Sequence, residues 1–101
     1  MTDGFDIEGI DEVIHGRVRL GVMAYLSGAG SADFNTLKAR LQATDGNLSA
    51  HLRKLEDAGF VKVEKAFVNR KPLTTLTLTD PGRRAFAAYL DAISKLVEGR
   101  G

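Results

Sequence analysis

The sequence predicts an α+β, mostly helical domain in which three helices, a β-hairpin and a long final helix follow one another. Three observations carry that reading. Apolar residues recur at helical spacing in the stretches 17–26, 36–42, 45–58 and 81–97. At Phe60 the period changes to two, and after a polar turn it returns in a run rich in β-branched residues. The chain has 101 residues with no internal repeat and no linker, which is the length of one compact domain, so 1–101 reads as a single unit.

Each element has its own local signal. Residues 9–14 read as a short helical turn that His15-Gly16 interrupts. From about Arg17 to Leu26 the residues Val18, Leu20, Val22, Met23, Tyr25 and Leu26 are apolar over much of the helix circumference, so this helix should be largely buried. Ser27 to Ser31 should be a loop. Asp33-Phe34 can form a very short strand, and Asn35 is a good N-cap for a helix from Thr36 to Gln42, with Leu37 and Leu41 on one side. After a tight turn around Ala43-Thr44-Asp45, Thr44 can cap a helix from Asp45 to about Ala58. Leu48, Leu52 and Leu55 give that helix one apolar stripe, and Gly59 ends it.

Phe60 to Val68 then alternates as a strand, Asn69-Arg70-Lys71-Pro72 is a polar turn, and Leu73 to Thr79 returns. Thr79 or Asp80 caps the last helix, Pro81 sits where a missing N–H costs little, and the helix continues to about Val97. Two middle helices joined by a tight turn and followed at once by a basic-tipped hairpin describe a winged helix-turn-helix: a three-helix core, a β-hairpin wing and a long C-terminal helix.

Composition narrows the function classes. The absence of cysteine excludes disulfides, thiol catalysis and zinc ribbons. The acidic start, Met1 to Asp6, lacks a secretory pattern, and the longest uncharged run is too short and polar to span a bilayer, so a cytoplasmic protein with no membrane partner is expected. The net charge is only +1, but residues 44–79 hold Arg53, Lys54, Lys62, Lys65, Arg70 and Lys71 against Asp45, Glu56, Asp57 and Glu64. A weakly basic middle suits a local anionic partner. No nucleophile–base pair, phosphate loop or carboxylate pair stands at a telling spacing, so no enzyme activity and no cofactor are expected.

A helix that reads DNA needs one apolar stripe to anchor it and an opposite face of short polar or basic side chains that fit the major groove. The helix 45–58 meets both demands. Asn47 can pair bidentately with adenine, His51 can donate to guanine N7 or a phosphate, and Lys54 can reach guanine or a phosphate. Gly46, Ser49 and Ala50 are small enough for close approach. Arg70 and Lys71 stand at a hairpin tip, where charge does nothing for a core. In the last helix Phe86, Leu90, Ile93 and Val97, with Tyr89 and Leu96 alongside, make a stripe wider than one small domain needs, which predicts a homodimer built on residues 80–98.

The stretch from Gly9 to about Leu96 resembles the winged-helix DNA-binding domains related to the ArsR and MarR groups of transcriptional regulators. The residues that carry the resemblance are His15 to Leu20, Asp33 to Leu37, Thr44 to Val61 and Leu78 to Arg83. It implies that 45–58 is the recognition helix, that 60–79 is the wing, and that 80–98 helps form a dimer on a palindromic operator. It also implies that Thr44, Asn47, Ser49, Ala50, His51 and Lys54 face the groove while Arg70 and Lys71 act at the wing. The metal sensors among such regulators use cysteine or clustered histidine and carboxylate. This chain has only His15 and His51, on different helices, so metal sensing is not expected. The competing reading is a winged-helix module that binds only protein. It calls for an exposed apolar patch on the face of 45–58, and the sequence shows none there.

Overall fold

The computed structural model describes residues 7–98, and the acidic residues Met1 to Asp6 read above lie outside the described residues. The order is a short 3-10 turn (Ile7–Gly9), α1 (Arg17–Ala29), β1 (Ser31–Asp33), α2 (Phe34–Leu41), α3 (Asp45–Asp57), β2 (Val61–Val68), β3 (Lys71–Leu78) and α4 (Asp80–Glu98). The three strands form one antiparallel sheet in the order β1-β3-β2. Among the described residues no helix is long and apolar enough to cross a membrane.

The core is one cluster gathered from nearly every element. Ile14, Val22, Met23, Leu26, Leu37, Leu48, Leu55 and Leu76 are fully buried, and Val61, Leu78, Phe86 and Tyr89 close it. The apolar stripe of α3 lies in this cluster as its spacing requires, with Leu48, Leu52 and Leu55 buried. The α3 start is capped by Thr44, whose Oγ1 accepts the Asn47 N–H at 3.1 Å. Its end is closed by two reverse bonds, Gly59 N–H to the Glu56 carbonyl and Phe60 N–H to the Leu55 carbonyl, both 2.9 Å. Gly59 takes φ +82 there, a conformation that a side chain would strain.

Several local expectations are corrected. α1 runs on through Ser27 and Gly28 to Ala29, because the Gly30 N–H still reaches the Leu26 carbonyl at 2.7 Å. The short strand is Ser31–Asp33, one step earlier than Asp33-Phe34, since these three residues pair with Thr77, Leu76 and Thr75 of β3. Asp33, and not Asn35, caps α2: pairing ends at Asp33, and its carboxylate accepts the Thr36 N–H at 2.7 Å. The helix-turn-helix turn is Gln42-Ala43-Thr44, with Gln42 left-handed at φ 53.

Of the helical turn expected over 9–14, the later part forms: the His15 N–H reaches the Asp11 carbonyl at 2.9 Å, the Asp11 carboxylate accepts the Val13 N–H at 2.8 Å, and Ile10 and Ile14 are tucked into the core. The hairpin turn is two residues, Asn69-Arg70, both at positive φ, so Lys71 and Pro72 belong to β3 opposite Val68 and Phe67. Such a mirror-image turn matches the right-handed twist of the strands it joins. Pro72 is tolerated because β1 pairs only as far as Thr75, which leaves β3 an edge at that point.

The joint between wing and last helix is built on Thr79. Its hydroxyl donates to the Gly59 carbonyl at 2.6 Å and accepts the Gly82 N–H at 3.0 Å. Thr79, of the two candidates, is therefore the cap. Gly82 lies so close to the Phe60 backbone that a Cβ there would stand 2.1 Å from the Phe60 oxygen.

Candidate nucleic-acid interface

With Leu48, Leu52 and Leu55 turned inward, the helical repeat puts the rest of α3 on three surfaces. The crest, farthest from the core, carries Gly46 and Ala50. One flank carries Asn47, His51 and Lys54. The other carries Asp45, Ser49, Arg53 and Glu56 and faces the wing. Thr44, Asn47, Ser49, Ala50 and Lys54 are all exposed, and His51 is half-buried. The side chains expected at the groove therefore do not form one row: Ser49 belongs to the wing side, and Asn47, His51 and Lys54 to the opposite side.

On the wing side, α3 and the hairpin enclose an open trough of about 350 Å³ lined by Ser49, Arg53 and Glu56 of the helix and by Val63, Lys65 and Thr74 of the strands. Arg53 and Lys65 bring cations to it, which the sequence reading counted in the basic middle but did not place at the interface. Arg53 follows Ser49 by four residues, which is one helical turn, and that spacing could have found it. Asp45, the acid nearest the front of α3, is held by Lys38 of α2 at 2.7 Å, which answers part of its charge and ties the two helices across their turn.

On the other flank, His51 is set by a residue that the sequence reading gave no role. Arg19 of α1 donates from Nε to the Val13 carbonyl at 2.6 Å and places Nη1 3.0 Å from His51 Nδ1. An arginine only donates, so His51 Nδ1 accepts, and the proton of the neutral ring sits on Nε2. The free edge of His51 is thus a donor, matched to purine N7, guanine O6 or a phosphate oxygen. Burial first, then the charges of Arg19 and Lys54, hold the His51 pKa below the ordinary value of 6.5, which favours this neutral form. Thr44 spends a lone pair on the Asn47 N–H and keeps its hydroxyl proton free to donate.

Arg70 and Lys71 are exposed at the hairpin end, Arg70 in the turn itself at φ 68 and Lys71 on the first residue of β3. The stripe of α4 is divided. Phe86 and Tyr89 are buried in their own chain, with ring centroids 6.4 Å apart. Leu90 and Val97 are 50% and 82% exposed, and Ile93 and Leu96 are half-buried. Ile93 and Leu96 line a cleft of about 580 Å³ with Ile7, Ile10, Glu12 and His15. His15 reaches across to the last helix: its Nδ1 lies 2.9 Å from the Tyr89 hydroxyl on α4. Among the described residues no group of three or more histidine, aspartate or glutamate side chains gathers to hold a metal ion.

Residues 18–97 match the family model of the winged helix DNA-binding domain. The chain is 39% identical over 85 residues to an uncharacterized protein of Methanocaldococcus jannaschii, MJ0432, covering 84% of this chain and 92% of that one. A transcriptional regulator homologue of Pyrococcus horikoshii superposes with a TM-score of 0.83 at 32% identity, over 88% of each chain. The reduced form of AbfR bound to DNA superposes with a TM-score of 0.68 at 29% identity. That match covers 78% of this chain and 57% of the longer one.

Proposed function

This chain belongs to the winged helix DNA-binding domain family, and from that premise we propose that it is a sequence-specific, double-stranded DNA-binding transcriptional regulator of the cytoplasm that acts as a homodimer. The observation that carries the reading is an exposed polar helix with a cationic hairpin at its side. Ser49 and Arg53 of α3 share a trough with Lys65 of the hairpin, whose end bears Arg70 and Lys71, while Ala50 on the crest and Asn47 on the far flank, beside the oriented donor of His51, stay exposed for a groove. A major groove takes one helix, and the adjoining phosphates take the wing cations. The DNA complex of AbfR supports duplex DNA as the partner. Thr44, Asn47, Ser49, Ala50, His51 and Lys54 serve the groove in this reading, with Arg70 and Lys71 on the backbone or in the minor groove.

The dimer is proposed from α4. Leu90 and Val97 gain nothing for the fold where they stand, and with Ile93 and Leu96 they supply an apolar strip to a second copy. A two-fold pair of chains would set two recognition helices about 34–36 Å apart on one face of a palindromic operator.

Two measurements test the proposal. Duplexes recovered from a random pool by the wild-type protein should share a palindromic motif, and Asn47→Ala should relax base preference at one position of each half-site at a cost of about 1–3 kcal/mol. If Asn47→Ala weakens selected and unrelated duplexes alike, the base contact is wrong. Sedimentation of the wild type at micromolar concentration should show a dimer, and Ile93→Asp with Val97→Asp should give a folded monomer that binds the operator far more weakly. A wild-type monomer that binds a palindrome no better than a half-site excludes the dimer.

A further inference from the structure

Phe67 is 79% exposed, the most exposed aromatic ring among the described residues that the fold leaves outside its core. Its position follows from the hairpin register. Directly opposed residues of an antiparallel pair share a face, so Val61–Leu78, Val63–Leu76, Lys65–Thr74 and Phe67–Pro72 form four successive rungs on the face that looks toward α3. The first two rungs enter the core. The third lines the trough beside α3. The fourth lies past the body of the domain: four residues beyond Val63, at about 3.3 Å each, puts Phe67 roughly 13 Å out along the finger.

An aromatic ring held in water forgoes the free energy of its burial. Nothing in the fold compensates for that, since Phe67 is absent from the core cluster and from its half-buried margin. Its surroundings limit what can cover it. Lys65 stands one rung behind it, and Arg70 and Lys71 stand at the turn ahead. A second wing tip would bring the same cations against these, so the occupant is not a copy of this hairpin; it is an anionic partner with an apolar interior.

We propose that Phe67, backed by Pro72, is an apolar wedge that presses between two base pairs in the minor groove while Lys65, Arg70 and Lys71 hold the phosphates on either side. The inference rests on the reading of the hairpin as a DNA-contacting wing and adds to it a residue that bends the duplex and reads its stiffness. The minor groove is only about 6 Å wide, so side chains at the tip enter it and the two-stranded ribbon stays outside. Wedges of this kind part adjacent base pairs and kink the duplex toward the major groove. A phenyl ring has no hydrogen bond to give, so its preference falls on steps that unstack at least cost, TA and CA/TG. The preference appears on the flank of each half-site, where no polar side chain of α3 reaches.

The test uses the full chain and a duplex recovered from a random pool by binding to the wild type, with 2-aminopurine placed in turn at each step of the flanks. The wild type should raise the fluorescence several-fold at one step and shorten the end-to-end distance read by energy transfer. Phe67→Ser should fold with an unchanged melting temperature, because it loses no buried contact. It should bind about tenfold more weakly, abolish both signals and leave the salt dependence of binding unchanged; Phe67→Leu should keep part of both. Wild-type-like bending by Phe67→Ser overturns the wedge, as does a flat fluorescence profile for the wild type. A lower salt slope in Phe67→Ser would mean that the ring only positions the cations, and altered sedimentation with unaltered DNA signals would make the tip a protein contact; either result overturns it. If the wild type recovers no duplex at all, the DNA-binding reading fails first, and this one with it.

Discussion

Replacing Arg70 with glycine should move stability and DNA binding in opposite directions. Arg70 is the second residue of a two-residue turn in which Asn69 has φ 52 and Arg70 φ 68. Asparagine tolerates that left-handed region; an arginine there costs about 1–2 kcal/mol. Glycine removes the strain but loses more backbone freedom on folding, roughly 0.5–1 kcal/mol. Arg70 is exposed, and among the described residues its guanidinium bonds nothing, so no contact is sacrificed. The net expectation for Arg70→Gly is a gain of up to about 1.5 kcal/mol, seen as a rise of a few degrees in melting temperature for a domain this small. In DNA binding, loss of one phosphate contact should weaken all sequences alike and reduce the slope of log K against log salt by about 0.9. A strained cation kept at a turn that glycine would suit better is the pattern expected where strain serves a site. A protein that melts lower would show that the arginine supports the fold, and an unchanged salt slope would remove it from the DNA contact.

Two further expectations concern the joints around the site. Gly82→Ala drives a methyl group to within 2.1 Å of the Phe60 carbonyl oxygen, which is backbone and cannot swing aside, so it should cost about 1–3 kcal/mol or more. Gly21→Ala meets only the tip of the Leu41 side chain, at 2.6 Å, and should cost less; equal melting temperatures for the two variants would contradict the argument. His51 has a folded pKa below its unfolded value of 6.5, so the unfolded chain binds more protons between the two. Its contribution to stability is complete above pH 6.5 and is lost as the pH falls toward the folded value. The difference in melting temperature between wild type and His51→Asn should therefore shift below about pH 6.5 and stay flat above it. A difference that is flat throughout would mean that burial and the charges of Arg19 and Lys54 do not hold the ring neutral.

The helices, the wing and the capping threonine were legible in the sequence because each rests on neighbours in the chain. Leu48, Leu52 and Leu55 repeat at helical spacing, Thr44 precedes the run, and the strand alternation begins where Gly59 ends the helix. What was not legible depends on pairing at a distance. Asp33 displaces Asn35 as a cap because β3 stops the strand there, 42 residues away at Thr75. The two-residue turn in place of a four-residue one follows from the register of the ladder, since Pro72 reads locally as a turn former. Phe67 escaped notice for a related reason. Alternation assigns every second apolar residue of a strand to the core, but it does not say where the core ends, and here the strands outrun it by two rungs.

The same dependence on distance decides how the proposed dimer would work. α4 can set the spacing of two recognition helices only if it is stiffly joined to α3 within each chain, because a loose joint would let the half-site distance drift. Two connections provide this. Thr79 pins the start of α4 to the Gly59 carbonyl just past the end of α3. Farther along α4, Tyr89 meets His15 in the segment before α1, and Arg19 reaches from α1 to the Val13 carbonyl of that segment and to His51 on α3. Thr79 holds the residue just past the C-terminal end of α3, and Arg19 reaches its middle, so the helix is tied at two points along its length. In the proposed dimer His15 and Arg19 would therefore do for the operator spacing what Asn47 and His51 would do for the bases. Neither pair would act well alone, since a correct donor pattern at the wrong separation meets only one groove.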